Sequence, residues 1–284
     1  MSTDDAPRLR LPELRFVPVE ALIPHEQHDV NRSGPLVLRL REQGMLRNPP
    51  IVTPLPPDDE RFVVLDGANR ATAALEAGLP HIVVQVVRYE DPGLRLTTWH
   101  HALGGLPALE FKRMLAAVEG LECLPTDLRH ARAVLARREA IAFVALPDRL
   151  AVTLHGGGEL HQRNAVLNAV VDVYRARTKF HRVASDSLTD AQAEHPEVTA
   201  LVVFPHFEPE EVLELATNGA RLPAGITRHV IPWRALRINV PLERLADRTQ
   251  TLADKNRWLT EWLGEKVHQR QVRFYQESTV MFDE

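Results

Sequence analysis

An α/β (α+β) fold in two regions, residues 1–90 and 91–284, is predicted by three observations. Short runs rich in β-branched residues, RFVPVEAL, RFVVL and HIVVQVVRY, alternate with segments whose apolar residues recur at helical spacing. Glycine and proline, 14 and 21 residues of 284, punctuate the junctions, so the elements are short and closely connected. A hydrophobic content of 44% is enough to give such elements a substantial core.

In chain order, a first strand is expected over 15–22, and IPHEQHDVNR is polar and reads as a loop. Gly34 and Pro35 open the helix LVLRLREQG, in which Leu36, Val37 and Leu40 share one face and Gly44 is the stop. PPIVTPLP reads as a short edge strand because its prolines cannot donate to a ladder. PPDDE is then a turn and RFVVL a buried strand. Residues 69–77 form an alanine-rich helix that ends at Gly78 with Pro80 beyond, and HIVVQVVRY closes the unit as a strand.

From residue 91 the texture changes. TTWHHALGGLPALEFKRMLAAVEG and DLRHARAVLARREA read as helical, and AIAFVALP with RLAVTLHGGGELH reads as paired strands with a glycine-rich tip. Residues 164–177 have a helical pattern, ALVVFPHF is a strand, and EPEEVLELATNG is a helix with Pro209 in its first turn and Gly219 past its end. RHVIPWRALRINVPL suggests two short strands, and ADRTQTLADKNRWLTEWLGEKVHQR a long terminal helix. Trp258 and Trp262, four apart on it, point to packing in the core or across a homodimer.

Composition removes several classes of function. A net charge of −4 argues against a nucleic-acid partner, whose phosphates call for a basic surface. The single cysteine, Cys123, allows no intramolecular disulfide and no cysteine-based zinc site, which suits a reducing, cytoplasmic setting. MSTDDAPRLRLPELRF contains no apolar signal core, and no apolar run reaches about 18 residues, so neither export nor a membrane span is expected. His155 and His161 in HGGGELH lack an obvious further ligand for a metal.

The junction LDGANRATAALEAG carries the chemistry of the first region. Asp66 and Gly67 reverse the chain, and the helix that follows presents free N–H groups and a positive dipole end from Gly67, Ala68, Asn69 and Arg70, where an anion is stabilised. Arg70 adds a forked donor suited to phosphate, and Asp66 beside a phosphate makes chemical sense if Mg²⁺ joins them. Taken alone, the pentapeptide also allows a second reading, in which Asp66 and Asn69 cap the helix and Arg70 is solvated.

The arrangement VPVEAL, a polar His-Glu loop, a helix ending in glycine, IVTP and VVLDGANRATAALEAG resembles the nucleotide-binding domain of the ParB/sulfiredoxin superfamily. Within it, the Asp-Gly turn, His25 and Glu26, TTWHH, and LPAGITRHVIPWRALRINVPLERL are similar to the free L-serine kinase branch, in particular the siderophore type that serves staphyloferrin B synthesis. That resemblance implies a kinase using ATP or ADP with Mg²⁺ to convert L-serine into O-phospho-L-serine. It implies Glu26 as general base and Asp66 as the residue that orients Mg²⁺ or the acceptor, with Gly67, Ala68, Asn69 and Arg70 on the nucleotide phosphates. Trp99, His100, Thr227 and Arg228 are expected to hold the amino acid. The family histidine before the arginine is Asn69 here, an amide donor that carries no charge. The alternative is a non-enzymatic, nucleotide-dependent regulator that binds DNA or a protein partner.

Overall fold

Phe16, Val17, Val64, Val83 and Val84 are all but inaccessible to solvent, and they build the first sheet in the computed structural model, which describes residues 11–27, 30–55 and 59–275. Strands β1 (Glu13–Pro18) and β2 (Leu22–Pro24) are separated by one 3-10 turn, Val19–Ala21, where a single strand over 15–22 was expected. Helix α1 (Val30–Gln43), β3 (Met45–Leu46), β4 (Ile51–Pro54), β5 (Phe62–Asp66), α2 (Ala68–Glu76) and β6 (His81–Val86) follow. The helix begins before Gly34 and carries Pro35 inside it, so those two residues do not open it. The expected turn PPDDE lies mostly outside the described residues.

The sheet order is β1-β6-β4-β5-β2. Its two outer strands would lie about 19 Å apart if the sheet were flat. The four peptide units from Pro18 to Leu22 reach about 15 Å, so the sheet must curl. The IVTP segment is central rather than an edge: β4 pairs with β5 on one side and β6 on the other. Its prolines do not obstruct the ladder because Pro54 ends the strand and the Pro50 carbonyl accepts from Gln85 N–H at 2.9 Å.

The second sheet has the order β12-β8-β13-β10-β11-β9, built from β8 (His100–Gly104), β9 (Leu121–Asp127), β10 (Ala142–Ala145), β11 (Leu150–Gly156), β12 (Phe180–Val183) and β13 (Val198–Val203). Helices α3 (Ala108–Ala116), α5 (Leu160–Arg175) and α7 (Pro209–Thr217) supply Phe111, Tyr174 and Leu215 to the core on one face. Helices α4 (Leu128–Ala136) and α6 (Leu188–Glu194) supply Ala131, Val134 and Leu188 to the other.

TTWHHALGG is not helical. It forms β7 (Arg95–Thr98) and the central strand β8, whose Ala102 and Leu103 are fully buried. The glycine-rich segment after β11 is a direct connection into α5, not the tip of a hairpin; β10 and β11 join through residues 146–149 instead.

Strand β14 (Thr227–Val230) pairs with β7, and β15 (Val240–Pro241) with β3. Helices α8 (Leu242–Ala246) and α9 (Leu252–His268) then return to the first sheet, where Ile238, Val240, Leu245 and Leu259 enter its core. Trp258 and Trp262 stack 5.4 Å apart and pack against that core. Asn256 fastens the return: its Oδ1 accepts from Phe16 N–H at 2.7 Å, and its amide donates to the Phe16 carbonyl at 3.1 Å.

Candidate active site

A cleft of roughly 1830 Å³ lies between the two sheets, and it gathers Glu26, residues 66–70, Trp99, Thr227 and Arg228. Its phosphate-like end is built by the β5–α2 junction. Gly67 sits at φ +86 as the N-cap, so no side chain caps the helix, and the Gly67 carbonyl already accepts from Arg70 and Ala71 N–H. The N–H groups of Ala68 and Asn69 are left for a ligand. The capping alternative for Asp66 and Asn69 is therefore not what this turn uses.

Two buried polar atoms at this end have no hydrogen-bond partner, Asn69 Oδ1 and Arg70 Nε. Buried polar groups are normally paired, and these two belong to the first turn of a helix, where an anion is stabilised. The Asn69 amide, turned over, presents two N–H donors at the same place. Arg70 folds back over Gly67, where a Cβ would stand 2.6 Å from one terminal guanidinium nitrogen and 2.9 Å from Nε.

Asp66 accepts on Oδ2 from Arg70 at 3.0 Å and from Arg234, which arrives from the segment between β14 and β15. The carboxylate is 39% exposed, and Arg234 lines the cleft. A hard oxygen donor held at the phosphate end fits a cation that takes one carboxylate and completes its shell with water and phosphate oxygens.

Glu26 lines the same cleft just past β2, the parallel neighbour of β5, carried by a strap in which His25 O accepts from Leu222 N–H and Leu222 O from Gln27 N–H, both at 2.8 Å. Its Oε2 accepts from Gly225 N–H at 2.8 Å, and its Oε1 accepts from Thr227 N–H at 2.7 Å and from the Thr227 hydroxyl. The buried His25 adds a further link, with Nε2 2.7 Å from Thr227 Oγ1 and Nδ1 against the Val64 carbonyl. A hydroxyl has one proton, so the Thr227 oxygen donates to one neighbour and accepts from the other, making Glu26–Thr227–His25 a continuous hydrogen-bonded chain.

Arg228 lies 4.4 Å over the Trp99 ring, a cation–π pair that stiffens this wall of the cleft. His100 is not part of it. Its side chain is buried on the far face of β8, with Nδ1 accepting from Phe204 N–H at 3.3 Å, and burial pushes it down to about 4. Successive strand residues point to opposite faces, so His101 is the one turned beneath the site. Its Nε2 lies 3.2 Å from the Gly225 carbonyl and its Nδ1 2.6 Å from Tyr174 Oη, and burial pushes it down to about 3.

Arg234 and Arg182 were not singled out from the sequence. Arg234 falls inside the PWRALR segment that carried the resemblance, which marked the segment but not the residue. Arg182, on β12, packs its stem against Gly225 and lines the cleft, and nothing local in FHRV signals it. In HGGGELH, His155 bonds the Glu139 carbonyl and Thr153, each at 2.9 Å, a structural role.

With its curled first sheet, its second six-stranded sheet and the cleft between them, the chain has the fold of the free serine kinases. A free serine kinase solved with AMP superposes with a TM-score of 0.72 at 20% identity, over 86% of this chain and 98% of the other. C-terminally truncated SbnI from Staphylococcus aureus superposes at 0.70 with 22% identity, over 89% and 97%. In sequence, the chain is 26% identical to an ATP-dependent L-serine kinase from Staphylothermus marinus over 81% of this chain and 90% of that one. It is 24% identical to the ADP-dependent L-serine kinase SerK of Thermococcus kodakarensis, over 86% and 100%. No family model matches the chain. Among the described residues, no helix is long and apolar enough to cross a membrane.

Proposed function

We propose that this chain is a free L-serine kinase, moving the terminal phosphoryl group of ATP or ADP onto the serine hydroxyl to give O-phospho-L-serine. The observation that carries the reading is the pairing, across one cleft, of a phosphate cradle with two unpartnered buried polar atoms and a carboxylate clamped by three donors. The similarity to L-serine kinases along more than four-fifths of the chain supports it.

In this reading the α2 N–H groups, the Asn69 amide and the Arg70 guanidinium hold the donor phosphates and offset charge on the moving group. The serine hydroxyl is placed between them and Glu26. As its oxygen forms the new bond to phosphorus and the bridging P–O bond breaks, the hydroxyl proton passes to the Glu26 carboxylate, and the nucleotide leaves one phosphate shorter. Trp99, Thr227 and Arg228 wall the amino-acid end, and Arg228 is the cation suited to the serine carboxylate. Asp66 is the residue that would hold Mg²⁺, which when bound neutralises charge on the phosphate oxygens.

Purified protein incubated with Mg²⁺, L-serine and either ATP or ADP is expected to yield phosphoserine, read by mass spectrometry. No phosphoserine with either donor overturns the reading, and nucleotide binding without serine-dependent turnover assigns the cleft to a regulator instead.

A further inference from the structure

We propose that His181, His195 and Glu197 form a site for a divalent transition-metal ion of the zinc type, at the rim of the cleft and apart from its phosphate end. The three come from two segments, since His195 and Glu197 belong to one turn. His181 is on the edge strand β12, His195 caps α6, and Glu197 precedes β13. One ligand atom from each lies within 4.8 Å of the other two.

The chemistry of the donors selects the ion. Two imidazole nitrogens and one carboxylate oxygen suit zinc with a fourth position left open, whereas Mg²⁺ and Ca²⁺ prefer oxygen alone. The two imidazoles stack face to face with centroids 3.7 Å apart and planes 10° from parallel, and Glu197 Oε1 is 2.8 Å from His181 Nε2. Both histidines line the cleft, which gives the ion a route in.

Two further features show that the cluster is held in place by its surroundings. Strand β8 lies between β12 and β13, so Glu197 has to pass over β8 to meet His181. It does so at Gly104, where a Cβ would come within 2.9 Å of Glu197 Cγ and 3.4 Å of its carbonyl oxygen. His195 and Glu197 flank Pro196 in a turn closed by Val198 N–H donating to the His195 carbonyl at 3.0 Å. The proline's fixed φ limits the freedom lost when both donors are held on one side.

The test is a calorimetric titration of the full chain, stripped with EDTA and free of nucleotide, with zinc chloride. One ion per chain is expected, with no competition from millimolar Mg²⁺. His181→Ala and Glu197→Gln should each weaken zinc at least tenfold. Gly104→Ala removes no donor and should weaken it as well, while His130→Ala, on α4, should leave it unchanged. Absence of saturable binding below millimolar zinc overturns the proposal, as does equal affinity in wild type and Glu197→Gln, or an equal loss in His130→Ala. Glu197→Gln keeps the side chain's size, so its circular dichroism spectrum separates a lost ligand from a lost fold. Every arm omits serine and nucleotide, so the outcome is independent of the kinase reading.

Discussion

Thr227 holds Glu26 from 201 positions further along the chain, through both its backbone N–H and its hydroxyl, on the same carboxylate oxygen. A carboxylate fixed this way cannot swing, so in the proposed reaction the serine hydroxyl must be brought to it. Replacing Glu26 by Gln keeps the shape and removes the proton acceptor. Phosphoserine formation should fall by about 10² to 10⁴-fold, with nucleotide affinity unchanged, as checked by turnover assays beside equilibrium binding. Unaltered turnover would remove Glu26 from the chemistry.

Arg234 is expected to serve the phosphates when nucleotide arrives, since it shares Asp66 with Arg70 and Asn69 carries no charge of its own. Arg234→Ala should slow turnover by about 10²-fold, the scale of losing one preorganised charge at the moving group. Arg234→Lys should recover little, because a single ammonium cannot fork between Asp66 and a phosphate. Recovery by lysine to wild-type rates would reduce Arg234 to a generic positive charge.

Gly67 combines a backbone angle of +86 with a side-chain direction already filled by Arg70. Gly67→Ala should destabilise the chain by about 1–3 kcal/mol from backbone strain and displace Arg70 from the cradle. Nucleotide affinity then falls by more than the stability loss explains, which urea melts read beside binding titrations will show. Gly78→Ala is the comparison: it has a similar angle and open space around it, and should cost stability alone.

His100 and His101 give the fold an acid-side weakness. Burial holds them neutral, down to about 4 and about 3, whereas the unfolded chain takes up their protons near 6.5. The unfolded state therefore binds more protons between those values, and stability falls as pH drops below about 6.5. By pH 5 each should have cost about 2 kcal/mol relative to neutral pH. Urea midpoints at pH 7 and pH 5, where most carboxylates are still ionised, check this; equal midpoints would contradict it.

The elements with clean periodicity were legible in advance. VVLDGANRATAALEAG reads as strand, turn and helix, and its Gly78 stop is a six-residue closure in which Leu79 N–H reaches the Ala74 carbonyl at 3.1 Å. TTWHHALGG misled because it runs without a break into the helical pattern of α3, although Thr and Trp favour strands; its place between β12 and β13 makes residues 100–104 a strand. The pair His100 and His101 could not be resolved by composition, since choosing between them needs the face each presents. The site residues from one local turn were readable together, while Arg234 and the His25 link depend on contacts that cross more than 150 residues, and Arg182 reaches Gly225 from a different strand.

The return of the C-terminal segment to Phe16 sets an order for making the protein. A nascent chain emerging from the ribosome has all the strands of the first sheet by residue 86, yet Ile238, Val240, Leu245, Leu259 and the Asn256 clamp are still to be synthesised. Its first sheet waits with part of its core uncovered until residue 259 has been made, and in that interval it is the part of the molecule with most to gain from a chaperone.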